Sequence, residues 1–188
     1  MVDLHSHILP GIDDGPADME GAVALARAAV EDGTKVLAAT PHVREDHPAV
    51  RLDELVERCA RLNVALSENQ VPLEVVVGAE VDVIWTRSAS EEDLRLATYG
   101  QSGTDMLLET PYGPLPPGFE DWVFSRLSLA GIRVMLAHPE PRVPQLVGIR
   151  GWFSGPGAGV CGVSGCRGFV WRGHTAGAAL RVVVGCLW

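Results

Sequence analysis

At 188 residues, 47% of them apolar, the chain is long enough for one domain with a real core. A net charge of −9 argues against the basic patches that hold phosphate backbones, so nucleic acid is not an expected partner. No basic segment followed by an apolar one opens the sequence, and no apolar run reaches about 18 residues, so neither a secretion signal nor a membrane span is expected. The expected location is the cytoplasm.

Taken in order, Val2, Asp3 and Leu4 read as a short buried strand. His5 and His7, two residues apart, face the same way if that strand persists through Ile8. Pro10 and Gly11 then turn the chain and bring Asp13 and Asp14 back toward the same mouth before Gly15 and Pro16 break it again. Two imidazoles with a carboxylate suit zinc, manganese or iron better than calcium. Asp13 can share the role of Asp14 or simply cap the turn.

Asp18 is placed to cap a helix over Met19 to Glu31, with Gly33 as its stop. A second strand, Lys35 to Ala39, leads into Thr40-Pro41-His42, and His47 in the polar run REDHP reads as solvated. Helical spacing of Leu52, Leu55, Val56, Cys59, Leu62 and Leu66 predicts a helix from Arg51 to about Glu68. Cys59 lies on that buried stripe, as a small core residue rather than a nucleophile.

Leu73 to Val77 is continuous in apolar residues, as a covered parallel strand should be, and delivers Glu80. After a less regular stretch with a short helix at Glu91 to Leu96, a strand over Asp105 to Leu108 delivers Glu109. A proline-rich loop, TPYGPLPPG, and a helix from Phe119 to Ala130 precede a fifth strand, Arg133 to Ala137, which ends in His138. Tyr112 and Glu140 lie near strand ends and can line a pocket, although nothing in their spacing requires it. Ligand-type residues that recur just after apolar runs are the arrangement by which a (β/α) barrel builds an active site.

The charge distribution divides the chain. All 24 acidic residues and ten of the fifteen basic ones fall in Met1 to Glu140, and the remainder holds five arginines and no carboxylate. From Gly148 onward the chain is crowded with glycine and carries Cys161, Cys166, Cys186, Trp152, Trp171 and Trp188. Val143 to Val147 could form a short helix and Leu180 to Val184 a strand; Trp152 to Gly177 shows neither period and is expected to be poorly structured. Cys161 and Cys166 lack a second pair at zinc-ligand spacing and read as incidental thiols.

The set DLHSHILPGIDDGP, TPH, GAE, LLE and LAHPE resembles, in order and spacing, the PHP (polymerase and histidinol phosphatase) superfamily, and within it the bacterial tyrosine-protein phosphatases of capsular and exopolysaccharide operons. The resemblance covers about Met1 to Val147. It implies an α/β fold, a distorted (β/α)7 TIM-like barrel incomplete at the C-terminus, with a phosphatase domain over 1–148 and an aberrant tail over 149–188. It also implies up to three divalent metals, commonly manganese, with zinc or iron as alternatives. His5, His7 and Glu80 would hold one, Glu80 would bridge to a second held by Glu109 and His138, and Asp14 with His42 would bind the third.

His42 and Arg142 are the implied catalytic residues, and a metal-bridged hydroxide would hydrolyse phosphotyrosine on a partner protein, a bacterial tyrosine kinase. The chain departs from the family in two places. Pro141 stands where an arginine usually follows H-P-E, which leaves Arg142 one position late. No late Asp-x-His exists, since no aspartate follows Asp121 and the only histidine after His138 is His174. The tail's composition matches GC-rich DNA read out of frame, with a natural divergent C-terminus as the alternative. Two further functions stay open: a catalytically impaired remnant that binds metal or the partner kinase, and a small-molecule phosphoesterase of the histidinol-phosphatase type. Cys59 has no arginine at the C-x5-R spacing of a cysteine phosphatase loop, and Cys166 reaches Arg172 through a run with no phosphate cradle.

Overall fold

The structure is a computed structural model that describes residues 1–109, 118 and 125–137, together with the backbone of 161–163, 169–170 and 183–184. Five parallel segments carry the fold. β1 (Val2–Ser6) is followed by α1 (Met19–Glu31), and the next strand comes in two pieces, β2 (Val36–Ala39) and β3 (His42–Val43). After α2 (Leu55–Glu68) the following strand is likewise divided into β4 (Glu74–Val77) and β5 (Glu80–Asp82). Then come α3 (Glu91–Leu96), β6 (Asp105–Glu109), a helical stretch at 125–129 and β7 (Arg133–Ala137).

Two parallel sheets result, one ordered β1-β2-β4 and one β3-β5-β6-β7 that continues into β8 (Cys161–Val163). Thr40-Pro41 and Gly78-Ala79 interrupt the two divided strands at matching heights. Backbone bonds nevertheless span the breaks: Thr40 N donates to the Ser6 carbonyl at 2.8 Å, Gly78 N to Ala39 at 2.9 Å and Glu80 N to Pro41 at 3.0 Å. The strands therefore bend together, and the pieces beyond the bend open onto one mouth. β9 (Phe169–Val170) and β10 (Val183–Val184) form a separate antiparallel pair. Most of the tail expected to be poorly structured lies outside the described residues, as does the helix expected at Val143 to Val147.

Local chemistry explains the helices. The Asp18 carboxylate accepts from Gly21 N at 2.9 Å, satisfying one of the unpaired donors of α1. Gly33, at φ +86°, takes the left-handed conformation that ends the helix. Ala22, Val23, Ala26 and Ala29 form its buried stripe, and the helix packs beside α2. On α2 the stripe is Leu55, Cys59, Leu62 and Leu66. The helix starts later than the spacing suggests, because Leu52–Glu54 forms a tighter 3₁₀ turn ahead of it.

Asn63 of α2 ties the layers together: its amide donates to the Val75 carbonyl at 2.7 Å and accepts from Val75 N at 2.8 Å. Among the described residues β4 pairs only with β2 in its sheet, and this side chain serves the Val75 backbone groups on its other edge.

Candidate metal centre

β1 ends at Ser6, two residues short of the expected Ile8. Its pairing with β2 slips between Asp3 and Ser6, and the Asp3 carboxylate accepts from His5 N at 3.1 Å within that irregular stretch. His7 lies beyond the strand. A compact loop brings it back, closed by a 2.8 Å bond from Gly11 N to the Pro16 carbonyl and by Gly11 at φ +72°. Gly15 passes so close to His7 that a Cβ there would lie 1.9 Å from the His7 carbonyl oxygen.

Asp13 organises this loop. It accepts from Gly15 N at 3.2 Å and from His42 N at 3.1 Å, and one of its oxygens lies 2.7 Å from His7 Nδ1. It thus caps the turn, as one of the two sequence readings has it, and also fixes the His7 ring. His42 and Glu80 open the strand pieces that follow the two breaks, and they face each other in register across β3 and β5. Glu109 closes β6 opposite Asp82. No side chain fits at Gly78, where a Cβ would lie 2.9 Å from the Tyr99 ring; the Tyr99 hydroxyl donates to the Leu4 carbonyl at 2.6 Å.

These elements converge on the Glu80 carboxylate, which is fully buried. A single oxygen, Oε2, faces His5 Nε2 at 3.1 Å, His7 Nε2 at 3.1 Å and His42 Nδ1 at 3.2 Å. Around this focus Asp14 approaches His7 Nδ1 at 3.1 Å and His42 Nε2 at 3.7 Å, and Glu109 approaches His42 Nδ1 at 3.6 Å. Three overlapping groups have ligand atoms within 4.8 Å of one another: His5, His7 and Glu80; His7, Asp14 and His42; and His42, Glu80 and Glu109.

The electrostatics of the cluster follow from burial and crowding. Burial disfavours charge on His7, but the Asp13 and Glu80 carboxylates outweigh it and raise the ring's pKa to about 10. Asp13 is held below the usual carboxylate range: burial would raise it, and the His7 contact outweighs that. His42 is lowered by burial, with the neighbouring His7 adding to the effect against the pull of Glu80 and Asp14. Burial raises Asp3 to about 6 against the bond from His5 N.

A divalent cation fits this donor set. His7 and His42 each face carboxylates from both ring nitrogens, and protons alone serve them unequally: the carboxylates favour the charged ring at His7, whereas burial disfavours it at His42. Nitrogen and oxygen donors aimed at a common point instead suit a metal ion that replaces those protons.

Of the residues the sequence singles out, the structure brings His5, His7, Asp14, His42, Glu80 and Glu109 together. His138, Arg142, Tyr112, Glu140, His174 and the cysteines after 160 lie outside the residues whose side chains are described. The sequence reading did not foresee the part played by Asp3, Arg44, His47 or Tyr99. The Arg44 guanidinium grips Asp46 through two 2.9 Å bonds and reaches Glu109 at 3.3 and 3.5 Å. Its position just beyond the strand end at Val43, two residues after His42, is the signal that could have pointed to it. His47, read as solvated, is half-buried, and its ring stacks on His42 with centroids 5.1 Å apart and planes 20° apart.

Residues 1–142 match the family described as capsular polysaccharide synthesis, CpsB/CapC. The chain is similar to the tyrosine-protein phosphatase YwqE of Bacillus subtilis, 34% identical over 146 residues that cover 74% of this chain and 54% of YwqE. Tyrosine-protein phosphatase CpsB of Streptococcus pneumoniae is 26% identical over 145 residues, covering 74% of this chain and 57% of CpsB. The chain thus spans about half the length of the curated relatives it matches. Among solved structures, one from a study of YwqE of Bacillus subtilis and CpsB of Streptococcus pneumoniae, described as unique metal-dependent tyrosine phosphatases, superposes with a TM-score of 0.66 at 29% identity. That match covers 79% of this chain and 59% of the other. The α/β fold of parallel sheets is therefore shared with that structure, and the chain belongs to the CpsB/CapC family of capsular polysaccharide synthesis.

Proposed function

We propose that this chain is a metal-dependent protein-tyrosine phosphatase that acts on phosphotyrosine of a partner protein, a bacterial tyrosine kinase, in capsular polysaccharide synthesis. The observation that carries the reading is the position of Glu80, one buried carboxylate common to two of the three ligand groups. His5, His7 and Glu80 would hold one cation, Glu80 and Glu109 a second, and Asp14 with His42 a third. Manganese is the proposed metal, with His138 as a further ligand, Arg142 as a phosphate-binding residue and the (β/α)7 barrel as the complete scaffold. Cations bound here would supply an activated water at neutral pH and offset the charge of the phosphoryl oxygens.

The chain's own residues do the positioning. Asp13 holds the His7 ring through Nδ1 and so leaves Nε2 aimed at the shared focus. His42 is set by its own backbone bond to the same Asp13. Cys59 supplies no nucleophile: it is buried on α2, and burial pushes its thiol up to about 11.

The test is hydrolysis of a phosphotyrosine peptide by the full chain with added manganese, paired with elemental analysis of the bound metal. Turnover with metal bound supports the proposal; comparison with histidinol phosphate separates it from the small-molecule phosphoesterase reading. A second reading draws on the acid-free stretch after Glu140, which contains no late Asp-x-His. On it, domain 1–148 binds metal or the kinase without turnover, and metal uptake with no hydrolysis of either substrate would select it.

A further inference from the structure

A cleft opens beside the cluster on the side of β3. It is a cavity of about 500 Å³ that Arg44 and His47 line together with Val50, Leu52 and Trp85, and its wall also carries Asp53 and Asp93. The two residues at its inner end are the ones that touch the centre: His47 stacks on His42, and Arg44 reaches Glu109. The cleft therefore adjoins the cluster through these two side chains.

Charge decides what Arg44 is suited to hold. The cluster presents four carboxylates and three imidazoles, and among the described residues Arg44 is the permanent cation that the ion pairs bring to it. Asp46 fixes Nε and Nη2 with a two-pronged grip, so the guanidinium plane is held while Nη1 is turned toward the mouth. A planar donor fixed in this way suits a phosphoryl group. A free phosphate, however, has no use for the apolar wall beyond it, whereas a phosphate carried on an aromatic ring does.

We propose that Arg44 and the adjoining cleft form the substrate subsite, with the guanidinium gripping the phosphoryl group and the Val50, Leu52 and Trp85 wall receiving the tyrosine ring and adjoining peptide. This rests on the phosphatase reading above and adds to it a second residue that meets the anion, beside Arg142, and the surface that selects an aryl ester. The cleft exceeds the needs of a single ring, which leaves room for residues flanking the phosphotyrosine.

Titration calorimetry on the full chain with manganese tests it, using inorganic phosphate, phenyl phosphate and a phosphotyrosine peptide, with metal content measured on every sample. Arg44→Ala should weaken all three ligands by about tenfold or more while metal content stays at the wild-type level, and Arg44→Lys should recover only part of the loss. Pro48→Trp, an exposed position on the cleft wall, should weaken phenyl phosphate and peptide by a similar factor and leave phosphate within about twofold of wild type. Wild-type affinity in metal-loaded Arg44→Ala overturns the assignment, as does metal loss in that variant, an unchanged peptide affinity in Pro48→Trp, or a metal-loaded wild type that binds none of the three. A wild-type chain that takes up no metal instead removes the phosphatase reading itself, and the metal analysis shows which has failed.

Discussion

The two ends of the same strands follow different rules. On β6, Met106, Leu107 and Leu108 are fully buried among apolar neighbours, and the next residue, Glu109, is nearly as deeply buried at 4% exposure with a carboxylate in place of a methyl group. The second strand shows the same change from Leu37, Ala38 and Ala39 to Thr40 and His42, and the third from Val75 to Glu80. At the apolar end, burial itself is favourable and needs only shape. At the mouth, burial costs free energy unless each charged group meets a partner, so those residues are present for what they bind. Stability and chemistry are thus separated along a few ångströms of each strand.

The sharpest way to break that separation is Glu80→Gln. Removing the shared carboxylate should lower manganese affinity by more than about 100-fold, beyond the 10–100-fold typical of supporting residues, with the far-UV dichroism unchanged. A variant that binds metal as before would place the ligand groups elsewhere. Leu62→Ala, at the apolar end, should do the reverse, destabilising the fold by about 2–5 kcal/mol in urea while metal stoichiometry per folded molecule holds. Asp13→Asn tests the boundary between the two regimes: metal affinity should fall about 10–100-fold through a loosened His7 ring, read by competition with a chelator.

Smaller effects sharpen the comparison on the helices. Asp18→Ala should cost about 1 kcal/mol through the lost bond to Gly21 N, with metal binding untouched. Cys59, on the apolar side, should resist alkylation until the chain unfolds, as followed by mass spectrometry of its peptide. Its folded pKa is raised from 9.0 to about 11, so the stability it contributes is intact below pH 9 and declines as pH rises toward 11. Prompt labelling at pH 8 would show that α2 opens locally.

Regular elements with a chemical start and stop were readable in advance. α1 runs from Met19 to Glu31 as spacing, Asp18 and Gly33 predict. The breaks at Thr40-Pro41 and Gly78-Ala79 are visible as residues, yet the two- and three-residue strands that follow carry no periodicity to read. His5 and His7 reach one carboxylate oxygen even though β1 stops at Ser6, because the loop through Asp13 does what strand alternation was expected to do. The place of Asp3 depends on a slipped pairing with β2, and that of Tyr99 on a hydroxyl reaching 95 residues back, neither of which leaves a local trace. His42, Glu80 and Glu109 were legible because each follows an apolar run, and Asp14 because the turn at Pro10-Gly11 brings it back toward the histidines. Arg44 and His47 were not, because their surroundings in sequence are those of an ordinary polar loop.

Gly15 has one further consequence. Its backbone is packed against the His7 carbonyl with no space for even a methyl group, so the bend is moulded by the peptide chain before any ion arrives. An alanine at that position would have to push the two segments apart, and the imidazole would swing out with them. On the proposed metal reading, the spacing of the donors is set by this packed backbone, and Gly15→Ala is expected to change cation affinity without replacing a coordinating atom.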